Sequence, residues 1–321
     1  MNITPAPTLA PQAAASVACP RLSVLIPTFN YDCTLLVRAL DRQAKDLAVG
    51  VEILVGDDAS THDEVAKACR SLEDGAAIRC LRPAHNLGRA AIRNLLGREA
   101  RGEWVLFLDS DGLPPDPHFL ARYAESMDGN ADVVCGGIVH PHQQPSTAVS
   151  LRYRYERHAE RSHTAARRNA APYAAFRSFN FMIRRSIFLA APFDETLRDY
   201  GYEDVLFGHR LAEAGARLTH IDNPLLNCDI EDNATFLRKT EEALRTLAAH
   251  APLLGPHVRL SLHLMRLRRL GLGPAVDWCF GKAECTLRRH LLGRRPAVWL
   301  FNCYKLGYLN HVWPCGSTTR R

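Results

Sequence analysis

The sequence is poor in the features that would classify it at a glance. It has no run of ~18 uninterrupted apolar residues, the length a membrane-spanning helix needs. Its most lipid-like stretch, residues 297–313, is broken by Asn302, Lys305, Asn310 and His311. Its ten cysteines contain no CxxC pair and no regular framework, so neither a disulfide scaffold nor a zinc module is indicated. Cys80 and Cys135 sit in apolar runs, where a thiol serves as a small core residue. A reduced, cytoplasmic chain is expected. No GxGxxG follows the first strand and no GxxxxGK[ST] occurs, which leaves dinucleotide and P-loop phosphate binding without support. There is no internal repeat, and no Lys or Arg before Arg21. Residues 1–20, with six Ala and four Pro and no signal-peptide core, are expected to be a disordered leader.

What is present is ordinary in amount and uneven in distribution. Hydrophobic residues make up 47% and charged residues 23% of 321, too apolar for a disordered chain and, at this length, suited to one large α/β domain with an appendage or to two small domains. The net charge of +6 hides an asymmetry: residues 250–321 hold 12 Lys and Arg against Asp277 and Glu284. An acidic body with a basic tail points to a second task at an anionic surface.

From Arg21 onward, short apolar runs alternate with helical patterns. Leu22–Ile26 reads as a buried strand ended by Pro27, followed by a helix over 32–45. Strands over 51–56, 77–82 and 104–108 follow, with a helix carrying Val65, Ala68, Cys69 and Leu72 and another over 88–100 between them. Four such units predict an open, largely parallel sheet with helices on both faces. Ligands in such sheets sit beyond the carboxyl ends of the strands. The polar clusters at Asn30, Asp57-Asp58, His85-Asn86 and Asp109-Ser-Asp111 all fall there. Two carboxylates at i and i+2 on a turn can hold a hard divalent cation that also binds diphosphate oxygens. The same residues also suit a turn and a helix cap.

Four segments carry a more specific signal in order. They are Ser23-Val-Leu-Ile-Pro-Thr-Phe-Asn30, Glu52-Ile-Leu-Val-Gly-Asp-Asp-Ala-Ser60, Asn86-Leu-Gly-Arg-Ala-Ala-Ile-Arg-Asn94 and Gly102-Glu-Trp-Val-Leu-Phe-Leu-Asp-Ser-Asp111. Phe193-Asp-Glu195, Tyr200-Gly-Tyr-Glu-Asp204 and Gly208-His-Arg-Leu211 come later. Together they resemble glycosyltransferase family 2, the inverting enzymes of GT-A fold, over residues 21–249. The resemblance implies a nucleoside-diphosphate sugar as donor, with UDP favoured, and a divalent metal, Mn2+ or Mg2+. It implies that Pro27, Thr28, Phe29 and Asn30 line the base, that Asp57 hydrogen-bonds it, and that Asp58 completes the pair. Ser110 falls in the donor-binding segment, and Arg89 and Arg93 would reach the diphosphate. Asp109 and Asp111 match the metal-binding DxD, with Asp111 the stronger direct ligand. Asp204 matches the general base that an in-line displacement requires, and Glu203 an acceptor-orienting contact. Asn227 stands near the position where many relatives place a His, so Asp229 or water is left as a third ligand. Ala191-Pro192 replaces the usual glycine pair before Phe193, which stiffens the acceptor loop.

Beyond the resemblance, an amphipathic helix is expected over 232–250, then helices over 253–270 and 275–292. Arg266, Arg268, Arg269, Arg288, Arg289, Arg294 and Arg295 beside Trp278, Phe280, Trp299 and Phe301 suit either a helix on an anionic membrane surface or a packed helical subdomain. No nucleic-acid-reading module accompanies the charge. The expected activity is metal-dependent transfer of a sugar to a glycan or lipid-linked acceptor hydroxyl in cell-surface polysaccharide or glycolipid synthesis, by a chain peripheral to the inner membrane face. A nucleotidyltransferase and a silent nucleotide-binding scaffold are the alternatives.

Overall fold

The computed structural model describes residues 20–73, 77–141, 146, 148, 150–160 and 164–314; the expected leader lies outside them but for Pro20. Strands β1 (Leu22–Thr28), β2 (Val51–Asp57), β3 (Ile78–Leu81) and β4 (Trp104–Leu108) alternate with helices α1 (Thr34–Lys45), α2 (Asp63–Ser71) and α3 (Arg89–Glu99). Next come β5 (Gly112–Leu113), α4 (Phe119–Ser126), β6 (Val133–Cys135), β7 (Ile138–Val139), α5 (Ser150–Glu160) and α6 (Ala165–Asn169). They are followed by β8 (Asn180–Arg184), α7 (Arg185–Ala190), α8 (Glu203–Glu213), β9 (Leu218–His220) and β10 (Leu225–Asn227). The main sheet has seven strands in the order β3-β2-β1-β4-β8-β6-β9. Only β8 runs against its neighbours β4 and β6. The expected α/β class and mostly parallel sheet are therefore present. Buried aliphatic and aromatic side chains form one core on each face of it.

The first strand does not stop at Pro27 as its sequence suggested. It continues to Thr28, with Pro27 level with Gly56 of β2. Pairing with β4 has already ended at Leu25, so the missing N–H of proline interrupts no ladder on that side. A second, three-stranded sheet joins β5, β10 and β7. Gly112 makes this join possible: a Cβ there would lie 2.1 Å from the Leu225 side chain. Its consequence is functional, because Asn227 comes level with Gly112 and the chain after β10 is brought to the Asp109–Asp111 turn.

Helix α9 (Asn233–Ala249) begins at Asp232, whose carboxylate accepts the N–H groups of Ala234 and Thr235. One helix was expected over 253–270; there are two, α10 (Ala251–Leu254) and α11 (Arg259–Arg269), joined by a tight turn at Gly255–His257. Pro256 cannot continue the hydrogen-bond ladder, and the Ser261 hydroxyl lies within hydrogen-bond reach of the Gly255 and Val258 carbonyls. Helices α12 (Gly273–Leu291) and α13 (Val298–Val312) complete the structure.

These last helices are continuous in packing with the α/β body. Leu197 and Leu206 share a core with Leu244, Leu254, Leu264 and Leu309, and Leu151 shares another with Leu237, Phe280 and Phe301. Arg288 pairs with Glu241 and hydrogen-bonds Tyr304. Two aromatics of the expected basic and aromatic set, Phe280 and Phe301, are thus internal, and the half-exposed Arg288 ties α12 to α9 and α13. Trp278 and Trp299 are the reverse case, 68% and 67% exposed. No helix among the described residues is long and apolar enough to cross a membrane.

Candidate active site

A cavity of about 670 Å³ opens at the carboxyl ends of β1, β2 and β4. Pro27, Thr28 and Phe29 line one side, with Phe29 half exposed. Asp58, Arg89, Arg93, Asp109, Ser110 and Asp111 line it as well. The structure therefore gathers most of the residues singled out by sequence around one space.

Asn30 and Asp57 are placed differently. Asn30 adopts a left-handed backbone, φ 55°, and its side-chain oxygen accepts the Thr61 and His62 N–H groups at 2.8 and 3.2 Å. It ties the β1 loop to the β2 loop. Asp57 is buried, accepts the Ser60 N–H at 2.9 Å and pairs with Arg82. Asp58 faces the cavity while its two oxygens take the Leu87 and Gly88 N–H groups at 2.7 and 3.0 Å. Burial raises its pKa, against the pull of those two bonds.

The acidic turn is organised from below by Arg93. This buried arginine donates to Asp109 at 2.6 Å and to the Arg89 carbonyl at 3.3 Å. Asp109 is therefore held, and Asp111 is the freer carboxylate. Burial, Asp109 and Asp229 push the Asp111 pKa up to about 6, with Arg152 opposing them. Asp229 lines the same cavity, delivered by the β5–β10 pairing. Asn227 is buried and accepts the Asp229 N–H at 3.2 Å. His220 is buried too, with its ring nitrogen 2.9 Å from the Pro172 carbonyl, and lines a neighbouring cavity instead.

Among the described residues, no three His, Cys, Asp or Glu side chains are grouped so as to hold a metal ion by themselves. Asp111 and Asp109 nevertheless offer hard oxygen donors to the same cavity. Magnesium-like ions are commonly held by one or two carboxylates plus substrate phosphates, so these residues fit a cation shared with a diphosphate.

Asp204 opens α8 beside Glu203, preceded by Tyr202 in a left-handed conformation at φ 67°. It is partly buried and lies 3.8 Å from Arg177. Burial raises its pKa, with Arg177 opposing and Glu203 reinforcing the shift. Glu203 turns toward Arg89, 3.8 Å away. The Phe193–Glu195 segment is clamped from α3: Asn94 exchanges hydrogen bonds with both backbone groups of Phe193 and donates to Glu195 at 2.8 Å.

The profile of glycosyl transferase family 2 matches residues 23–190, just over half of the chain. The chain belongs to this family. It is 28% identical over 117 residues to the glycosyltransferase GlyG of Streptococcus pneumoniae, which is 36% of this chain and 38% of that protein. It is 26% identical over 95 residues to an uncharacterized glycosyltransferase of Haemophilus influenzae, 29% of this chain and 36% of the relative. The matches thus span little more than a third of either relative's length. Among solved structures, the mannosyltransferase PcManGT from Pyrobaculum calidifontis, in complex with GDP-Man and Mn2+, is similar in fold. The alignment covers 91% of this chain and 86% of that one, with a TM-score of 0.53 and 18% identity.

Sequence reasoning missed part of this family 2 site. Arg152, Arg198, Tyr200, Glu231 and Lys239 line the cavity. Arg89 and Lys239 stand over the Tyr200 ring, 4.9 and 5.6 Å from its centre. Arg152 reaches Glu231 at 3.3 Å, and Lys239 pairs with the same carboxylate. Tyr200 was quoted in a motif without a role. Arg152 comes from α5, Lys239 from α9 and Arg198 from the loop before α8, where nothing in the local pattern separates a lining residue from a solvated one.

Proposed function

We propose that this chain transfers a sugar, with inversion, from a nucleoside-diphosphate sugar to an acceptor hydroxyl, in the making of a cell-surface polysaccharide or glycolipid. The supporting observation is that one cavity joins an aromatic-polar loop, an acidic turn and a set of cations, with two acids at a helix start nearby. A nucleotide base would rest against Pro27, Thr28 and Phe29. Asp57, held by Arg82, would accept the ring N–H of uracil, which favours a UDP-sugar. Arg89, Arg152, Arg198 and Lys239 would meet the diphosphate as charge-assisted donors. Arg93 would keep Asp109 in register.

A divalent cation at Asp111, with Asp109 and Asp229, would supply counter-charge to the leaving diphosphate. Asp204 would accept the proton of the attacking hydroxyl, and its raised pKa improves it as a base. Glu203, held against Arg89, would orient the acceptor. A nucleotidyltransferase has no use for a base at Asp204, and a silent scaffold no reason to keep one.

The C-terminal helices suit attachment to an anionic membrane surface at the inner face. Among the described residues, seven of the ten exposed large apolar side chains, Trp278 and Trp299 among them, lie after residue 250, in the region with the excess of Lys and Arg. The catalytic reading is tested by incubating the protein with UDP-, GDP- and dTDP-sugars and Mn2+ or Mg2+. Released nucleotide and the opposite anomer in the product are expected. Turnover of nucleoside triphosphates in their place would support a nucleotidyltransferase.

A further inference from the structure

We infer that the acceptor is a polyanion, a chain bearing repeated phosphodiester or carboxylate groups, held in a basic groove that begins beside Asp204. This rests on the reading of Asp204 as the base. The groove has a volume of about 1070 Å³ and passes Tyr202 and Val205, the residues flanking Glu203-Asp204. Arg167, Arg168, Arg177, Arg259 and Lys305 line it, together with three histidines, and no Asp or Glu does among the described residues. These cations come from α6, the segment before β8, α11 and α13, so the body and the C-terminal helices build the wall jointly.

The charges are not consumed by the fold. Arg168 donates to the carbonyls of Gly136 and Ile221 rather than to a carboxylate. Lys305 hydrogen-bonds the Tyr155 hydroxyl at 3.0 Å and stands over the rings of Tyr155 and Phe301. Arg177 reaches Asp204 only at 3.8 Å. Glu213, the acid next to His209 at 3.3 Å, does not line the groove. Like charges gathered in one groove repel each other and focus potential on an incoming anion. Guanidinium groups match phosphate and carboxylate oxygens in geometry. The hydroxyls of a neutral glycan would find no carboxylate acceptor on this wall.

The groove also leads where an acceptor has to go. It shares Tyr155, Arg168, Ala175 and Arg177 with a smaller cavity of about 280 Å³. That cavity in turn shares Arg152 and Phe179 with the donor cavity. A chain lying along the groove would have its end at the junction beside Arg177, which stands 3.8 Å from Asp204.

The test is calorimetric titration of the full chain with inorganic polyphosphate, polygalacturonate and a neutral malto-oligosaccharide at low and high salt. At least one polyanion binds and is weakened by salt, and the neutral chain does not bind; the tighter polyanion identifies the phosphate or the carboxylate source. Arg167→Glu with Arg259→Glu, both exposed, lowers polyanion affinity by about tenfold or more, the size expected for losing charge-assisted contacts. Arg294→Glu with Arg295→Glu, outside the groove, leaves it nearly unchanged. Equal loss in the second pair, binding of the neutral chain alone, or no polyanion binding overturns the inference. So does a result in which phosphatidylglycerol vesicles, and no soluble polyanion, depend on Arg167 and Arg259. UDP is titrated into the same samples: UDP binding without polyanion binding removes the groove alone, and the converse removes the donor reading alone.

Discussion

The α/β body and the C-terminal helices treat their apolar surface in opposite ways. Among the described residues up to 249, only Phe29, Leu35 and Leu189 are large, apolar and exposed. The 65 described residues after that expose seven, including Leu270 at 73%. The body is a two-faced sheet that must bury both faces, and Phe29, the one large exposed aromatic among its described residues, lies at the cavity beyond β1, β2 and β4. The helices need to bury only one stripe each, and what remains outside is available to a surface. The difference teaches that the polar clusters of the body gather where strands end, whereas the exposed apolar groups of the helices lie on faces that their packing does not use.

The sharpest way to break that division is inside the body. Asp204→Asn keeps size and polarity but cannot take a proton, so turnover is expected to fall by ~10² or more with donor affinity nearly unchanged. Single-turnover kinetics with a separate donor titration separates the two. Normal transfer by the variant would make Asp204 a helix-terminal acid and nothing more.

Next in size is a contrast within the helices themselves. Phe301 is 1% exposed and packs on Tyr155 and Phe236, whereas Trp299 is two positions away and outside. Phe301→Ala is expected to cost ~3–5 kcal/mol in denaturant unfolding, and Trp299→Ala less than about 0.5 kcal/mol. Trp299→Ala should instead weaken capture by anionic vesicles. Equal unfolding costs would erase the distinction between packed and surface-facing aromatics.

The base pocket comes third. If Asp57 accepts a hydrogen bond from uracil, Asp57→Ala should weaken UDP binding by about 1.5–3 kcal/mol. An unchanged dissociation constant would confine Asp57 to its structural pairing with Arg82.

The smallest expected effect is a pH shift. A base acts as its carboxylate, so activity falls as pH drops through the Asp204 pKa. Arg177 opposes the rise that burial causes. Arg177→Gln should therefore move the acid limb of kcat upward. An unmoved limb would detach Arg177 from the base.

How far the sequence could be read follows the same division. Each of β1 to β4 was visible as an apolar run, and each polar cluster after it was visible as a strand end, whereas the two- and three-residue strands β5, β6 and β7 were too short to be read. Asp58, Ser110, Asp109 and Asp111 could be placed in this way because position along a parallel sheet dictates location. Arg152 and Lys239 could not, since they reach the cavity through helix packing that links residues far apart in the chain. Arg288 and Phe301 showed the same limit in reverse. A basic and aromatic helix pattern looks alike whether its side chains meet lipid or, as here, Glu241, Tyr304 and Tyr155.

The central claim is that Asp111 and its neighbours serve the diphosphate of a nucleotide sugar. It is tested most directly by titrating UDP into the wild type and Asp111→Ala, each with Mn2+ and with EDTA, and following donor turnover in the same samples. The expected result is UDP binding tightened by Mn2+ in the wild type only, with most turnover lost in EDTA and in the variant. Full binding and turnover in EDTA would contradict it.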